Sequence, residues 1–347
     1  MALNIVDEKL HLEKTILAPY TYLLQIKGKQ LRLKISRAFN HWLKLSDDKL
    51  NEVLDTARAL HTATLLFDDI QDDAKLRRGL PAAHRVYGAN LTFNTSMHVL
   101  FLVLNRFMEI HPKAAKIYAE DFLEALRGQS WELYWRDNVV CPTEEEYKTM
   151  LRKKTGRMFT LPVRVCQLFS NFKTDLTDLA ELLGYYFQLR DDYCNLSQQD
   201  ALEEWPGEED IQADRVSSYC EDITEGRFNL PVIHAINTPV GPEVLNIIRQ
   251  RTEDIALKKY CLSLLEKAGS LQYTRNLLAE LDRSARAEVS NYKNHHRSSS
   301  TLTANGRPLL DIGLLYILPN ITVSSRQHPV APCREHHYLD SQWTSTA

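Results

Sequence analysis

Residues 50–73 read LNEVLDTARALHTATLLFDDIQDD, and their phase decides the fold. Leu50, Leu54, Ala57 and Leu65 recur at helical spacing with His61 in the same row, and further steps of three and four land on Asp68 and Asp72. The expectation is a long helix whose core-facing stripe turns acidic at its downstream end, in Asp68-Asp69-Ile70-Gln71-Asp72-Asp73. A second segment repeats the pattern: Leu176, Ala180, Leu183 and Phe187 lead by the same steps to Asp191 and Asn195, within Asp191-Asp192-Tyr193-Cys194-Asn195.

Unpaired carboxylates gathered in a poorly solvated cleft repel one another and lose hydration, so such a site calls for protonation or cations. Hard divalent ions suit an all-oxygen donor set, and Mg²⁺ commonly bridges one or two carboxylates to substrate phosphates. A single Asp-Asp pair is usually a solvated helix end. Two clusters in matching phase are much harder to explain that way.

The chain has 347 residues, enough to bury a sizeable core in one large domain or two smaller ones. Its 12 Gly and 13 Pro are few for that length, and long helical periodicities dominate, so an all-α fold is expected. A net charge of −3 gives no broad attraction to nucleic acid or acidic membranes. The cysteines Cys141, Cys166, Cys194, Cys220, Cys261 and Cys333 are scattered without C-x-x-C pairing, which suits reduced thiols and a cytoplasmic protein. Met1 to Lys14 is too charged for a signal sequence, and the apolar run Leu309 to Val323 is short and holds Asp311 and Pro319, so no membrane span is expected.

Helical patterns run through about 15–43, 46–76, 91–110, 112–137, 143–170, 174–198, 223–238 and 242–290, joined by short connections as in a bundle. Ser46 before Asp47 and Asp48 makes an N-cap for the first acidic helix, and Thr143 with Glu146 a capping box for a later one. Residues 198–218 are acidic, carry Pro206-Gly207 and lack an apolar stripe, so they read as an inserted loop. From about Asn294 the composition turns to Ser, Thr, His, Pro and Arg, the signature of a disordered tail. Its pairs His295-His296 and His336-His337 invite a metal reading, but adjacent histidines in such a tail are more often incidental.

Cations complete the pattern. Arg77-Arg78-Gly79 follows the first cluster, and adjacent guanidinium forks can serve two neighbouring anions. Gly28-Lys29 with Arg32, and Lys154-Thr155, add two more compact groups.

Pro19-Tyr20, Gly28-Lys29-Gln30-Leu31-Arg32, Asp68-Asp69-x-x-Asp72 with Leu76-Arg77-Arg78-Gly79, Tyr134-Trp135-Arg136-Asp137, Lys154-Thr155-Gly156 and Phe187-Gln188-Leu189-Arg190-Asp191-Asp192-Tyr193 together resemble the trans-isoprenyl diphosphate synthases, and among them the geranylgeranyl diphosphate synthases. The resemblance covers about residues 15–290 apart from the insertion near 199–216. It implies an isoprenoid synthase-type helical bundle with a central active-site cavity, a prenyltransferase domain over 1–293, and an unmatched tail over 294–347. It also implies a homodimer or higher homo-oligomer, with three Mg²⁺ ions held between the aspartate-rich helices and an allylic diphosphate. By the same resemblance Asp68, Asp69, Asp72 and Asp191 are metal ligands. Arg77, Lys154, Thr155, Gln188 and Arg227 surround the allylic diphosphate, while Gly28, Lys29, Arg32, His61 and Arg78 hold isopentenyl diphosphate. Asp68, Asp69, Asp72, Arg77, Lys154 and Asp191 are the implied catalytic set.

Product length should depend on residues about 6–8 Å below the first cluster, at about 1.5 Å per residue of helix. Those are Ala63 and Thr64, neither a bulky aromatic, which by the family's logic favours a twenty-carbon product. Met97, His98 and Phe101 are alternative floors.

Four positions depart from the family pattern on the allylic and metal side: Glu132 where Asp is expected, Arg157 where a second Gly follows Lys154-Thr155-Gly156, a missing lysine near Ser217, and Arg227 in place of lysine. Arg157 or Arg215 could replace the lost cation. The leading expectation is a Mg²⁺-dependent prenyltransferase joining isopentenyl diphosphate to an allylic diphosphate. The alternative is a terpene synthase, a lyase on the same scaffold that ionises geranyl or farnesyl diphosphate. A third reading is a non-catalytic partner of an active synthase.

Overall fold

The computed structural model describes residues 11–25, 31–197 and 219–294. Gly28, Lys29, Arg215, Ser217, the 199–216 insertion and the tail from 295 onward, with its histidines and Cys333, lie outside them. The first described residues form α1 (His11–Ile16) and α2 (Ala18–Leu24), and α3 (Leu31–Leu43) follows. Three short helices therefore occupy the ground that periodicity assigned to one.

Ser46 begins α4 (Asp47–Gln71) by accepting a hydrogen bond from the Lys49 amide, with Asp47 and Asp48 favourable in the first turn. Its partner is α6 (Ala89–Ile110), reached through a short hairpin, β1 (Leu76–Arg77) and β2 (Leu80–Pro81), and α5 (Ala83–Tyr87). Small buried Thr92, Thr95 and Ser96 let α6 come close, and Ser96 Oγ donates 2.7 Å to the Ala63 carbonyl. Next come α7 (Pro112–Asn138), started by Pro112, and α8 (Glu144–Leu151), which begins in the expected capping box.

Between α8 and α9 (Arg157–Gln167) residues Arg152–Gly156 form a π-helical turn, so the run expected to be one helix changes winding at Lys154-Thr155. Such turns often mark functional sites. The second acidic helix is α10 (Thr177–Leu196). Among the described residues five more helices follow: α11 (Glu221–Glu225), α12 (Leu230–Ile236), α13 (Gly241–Gln250), α14 (Ile255–Lys267) and α15 (Ser270–Asn294). Tyr292 OH on α15 donates 2.9 Å to the Asp175 carbonyl beside the start of α10. The result is the expected all-α fold, its β structure among the described residues confined to the hairpin. No helix among the described residues is long and apolar enough to cross a membrane.

The phase of α4 differs from expectation. The deepest residues are Leu50, Val53, Leu54, Thr56, Ala59, Leu60, Ala63, Leu66 and Asp69, whereas Ala57 and Leu65 are half-buried. At about 3.6 residues per turn the expected row from Leu50 through His61 to Asp68 holds one line, and the buried Ala59, Ala63 and Leu66 lie about half a turn round from it, so the core takes a different face of α4.

Candidate active site

The acidic end of α4 meets the hairpin. Arg78 and Gly79, its two loop residues, both have positive φ, the geometry of a two-residue turn that returns the chain on itself. That turn brings Arg77 back over α4, where Nε donates 2.7 Å to Asp69 Oδ1 and Nη2 contacts the same oxygen. Asp69 is 1 % exposed, and burial pushes its carboxyl up to about 6 in spite of Arg77. Its Oδ2 is buried with no hydrogen-bond partner. Asp68 is more open, its Oδ1 accepting 3.2 Å from Gln129 and its Oδ2 lying 3.6 Å from Arg77.

Asp72 is held from both sides. Arg136 Nη1 donates 2.6 Å to Oδ1 and Arg227 Nη2 donates 2.5 Å to Oδ2. Burial pulls this carboxyl upward, but Arg227, Lys154 and Arg136 outweigh it and hold it below the usual range. Arg136 also binds Asp137 and the Gln71 carbonyl, and Arg251 closes the chain onto Asp137 at 2.8 Å.

Lys154 leaves the π turn to ion-pair with Glu132. Burial works against its charge, but Glu132, Asp68 and Asp72 more than compensate and raise its affinity for a proton. Close approach makes this possible: a Cβ on Gly128 of α7 would sit 2.5 Å from the Lys154 amide nitrogen. Thr155 next door donates 2.9 Å to Gln188 Oε1 on α10.

On α10 the phase reverses expectation: Asp191 is exposed and Asp192 is 7 % exposed. Leu183, Phe187 and Asp191 are successive four-residue steps, each overshooting a full turn by about 40°, so Asp191 is carried off the core line. Asp192 accepts 2.9 Å from Gln188 and a close bond from Tyr147 OH, and burial, reinforced by Asp222, pushes it up to about 7. The Asp222 amide donates 3.2 Å to Asn195, and Arg227, five residues after Asp222, reaches Asp72. Through α11 the two acidic rims therefore share one neighbourhood.

On the other side Arg32 from α3 lies between rings of α9 and α10, its guanidinium carbon 5.4 Å from the Phe159 centroid and 5.7 Å from that of Phe187. Its Nη1 sits 2.5 Å from His61 Nε2. Burial lowers its pKa to about 10, opposed by Asp191 and Asp68, so Arg32 feels both rims. His61 is pushed well below its ordinary range by burial and then by Arg32, Arg78 and Arg77. A neutral ring is the state that can accept from Arg32.

Asp68, Asp69, Asp72, Asp191, Arg32, His61, Arg77, Arg78, Lys154, Thr155, Gln188 and Arg227 are thus drawn around the facing ends of α4 and α10. Ala63 is fully buried against α6, and Thr64, half-buried, donates 2.8 Å to the His61 carbonyl. Met97 and Phe101 are 39 % and 61 % exposed on the outer side of α6, while His98 Nε2 lies 3.3 Å from Glu13. Arg157, expected as one substitute for a missing lysine, faces Asp121 at 3.8 Å and Glu181 at 3.4 Å. Sequence reasoning gave no role to Arg136, Tyr147, Asp192, Asp222 or Glu225. Asp192 stood in the second acidic cluster and Arg136 in the run Tyr134-Trp135-Arg136-Asp137, and Asp222-Ile-Thr-Glu225 carried charges just before Arg227, whereas Tyr147 gave no signal.

A family model described as polyprenyl synthetase matches residues 13–265. The chain belongs to the polyprenyl synthetase family. Family membership makes this all-α bundle an isoprenoid synthase fold and the protein a trans-isoprenyl diphosphate synthase relative of the geranylgeranyl type. Among similar proteins, a "Terpene synthase" of Matsumurasca onukii is 49 % identical over 280 residues, 80 % of this chain and 88 % of that protein. A "Geranylgeranyl pyrophosphate synthase" of Penicillium janthinellum is 46 % identical over 79 % of this chain and 72 % of its own length. One of the same description from Mucor circinelloides f. lusitanicus is 40 % identical over 80 % and 88 % respectively.

Members of such a family would require residues able to hold magnesium. Among the described residues no three His, Cys, Asp or Glu side chains converge as a preformed cage. The donor chemistry nevertheless fits: the rims offer the carboxylate oxygens of Asp68, Asp69 and Asp191, of which Asp69 Oδ2 is buried without a partner and Asp191 is exposed. A substrate diphosphate can supply the remaining oxygens.

Proposed function

We propose that the chain is a magnesium-dependent prenyltransferase that condenses isopentenyl diphosphate with an allylic diphosphate, farnesyl diphosphate or shorter, to a twenty-carbon product. The observation that carries this reading is a second cationic group: Arg32 on α3, braced by neutral His61, and Arg78 of the hairpin feel one another, with Asp68 and Asp191 within electrostatic reach of Arg32. A lyase needs one diphosphate site; a condensing enzyme needs two.

In this reading Arg77, Lys154, Thr155, Gln188 and Arg227 bind the allylic diphosphate. Lys29, Arg32 and Arg78 hold isopentenyl diphosphate beside Gly28, with neutral His61 keeping the Arg32 fork aligned. Asp68, Asp69, Asp72 and Asp191 would hold magnesium, which when bound supplies Lewis-acid charge to the leaving diphosphate. Lys154 and Arg77 stabilise the same developing charge from fixed positions. The allylic carbon–oxygen bond breaks, the isopentenyl double bond attacks the cation, and a proton lost to the released diphosphate regenerates an allylic product. Neither Ala63, packed against α6, nor Thr64 puts a bulky aromatic below the cluster, which supports a twenty-carbon product. The domain is proposed to span 1–293 and to self-associate through the outer faces of α6 and α7, where Phe93, Met97, Phe101, Leu123 and Trp131 are exposed.

The second reading, a terpene synthase, is favoured by the 49 % identical relative of that name and by Glu132 and Arg227 on the allylic side. Purified protein and Mg²⁺ incubated with geranyl or farnesyl diphosphate, with and without isopentenyl diphosphate, separates them. Elongated prenyl diphosphate formed only with isopentenyl diphosphate supports condensation. Volatile hydrocarbon or alcohol formed without it supports the lyase, and no product supports a non-catalytic partner.

A further inference from the structure

We infer that Arg227 competes with the divalent cation for Asp72, so that this chain binds metal weakly until a diphosphate draws Arg227 away. The inference rests on the proposed function, because it presumes that metal belongs at the aspartate rim. It is motivated by the saturation of one carboxylate: Arg136 and Arg227 take the two oxygens of Asp72 at 2.6 and 2.5 Å. The Asp72 side chain is 2 % exposed, so water does little to screen these pairs.

Arg227 can do this because its fork spans two acids. Nη2 goes to Asp72 while Nε forms an ion pair with Glu225 Oε2, on a side chain 13 % exposed. An ammonium is a single compact charge and has no rigid fork to bridge the same two carboxylates. Lys154 also lies within electrostatic reach of Asp72, so a dication approaching it meets three positive side chains. A diphosphate would reverse the balance, since its oxygens offer the guanidinium fork an alternative partner.

The test is direct titration of the full-length protein with Mn²⁺, free ion being read by electron paramagnetic resonance, with no diphosphate present. Arg227→Lys keeps the charge but not the bridge, and should tighten Mn²⁺ binding about ten-fold, the equivalent of one charge-assisted hydrogen bond. Arg227→Gln should shift affinity in the same direction, and adding Asp72→Asn to Arg227→Lys should cancel the gain. Unchanged or weaker affinity in both Arg227 variants, a gain that survives Asp72→Asn, or no Mn²⁺ binding in any protein overturns the inference. The condensation reaction is judged separately, by product analysis with isopentenyl diphosphate, so either proposal can fail alone.

Discussion

Arg32 and His61, 29 positions apart, are joined by a 2.5 Å contact between a guanidinium Nη1 and a ring Nε2. A guanidinium has no acceptor, so the imidazole must be the acceptor and must be neutral at that nitrogen. The pair therefore fixes both a geometry and a protonation state.

That state gives a pH signature. Burial, then Arg32, Arg78 and Arg77, holds the folded His61 pKa well below 6.5, whereas the unfolded side chain titrates near 6.5. Below that pH the unfolded chain takes up a proton that the folded chain refuses. Stability should fall as pH drops from about 6.5, with His61 contributing up to about 1.4 kcal/mol per pH unit. Urea unfolding of wild type and His61→Gln between pH 5 and 7 checks this: the variant should lose that part of the slope, and parallel profiles would refute it.

Separate cation groups predict separate kinetic effects. Arg32→Gln should raise KM for isopentenyl diphosphate about ten-fold or more while leaving that for the allylic diphosphate nearly unchanged, and Lys154→Ala should do the opposite. Steady-state kinetics with each substrate varied in turn measures both. Equal losses on both substrates in either variant would show a single shared anion site.

Gly128 is required by the close approach of α7 to the π turn. Its replacement by Ala would place a Cβ 2.5 Å from the Lys154 amide nitrogen and 2.9 Å from its Cα. Both are backbone atoms, which cannot rotate aside, so a cost of about 1–3 kcal/mol is expected. Denaturant midpoints decide it; a change below about 0.5 kcal/mol would mean that the contact relaxes freely.

Much of this architecture was legible before any coordinate. Ser46 and Thr143 cap helices where local pattern placed them, because capping depends on residues within three positions. The aim of Asp191 was not, since small angular errors accumulate along a row of four-residue steps. Nor was the π turn at Arg152–Gly156, whose register depends on Gly128 of α7 and on Gly184 of α10, where a Cβ would lie 2.9 Å from Gly156 Cα. The partners of Asp72, 64 and 155 positions away, are brought to it by tertiary packing, which no local periodicity records.

In the proposed function the ends of α4 and α10 act as one site. A double-mutant cycle in Asp68 and Asp191, reading isopentenyl diphosphate incorporation into allylic product, tests it most directly. Groups that act as a unit lose activity non-additively. Asp68→Ala and Asp191→Ala should each reduce turnover about a thousand-fold or more, and the double variant little further. Near-normal turnover in either single variant, or losses that multiply in the double variant, would contradict a shared site.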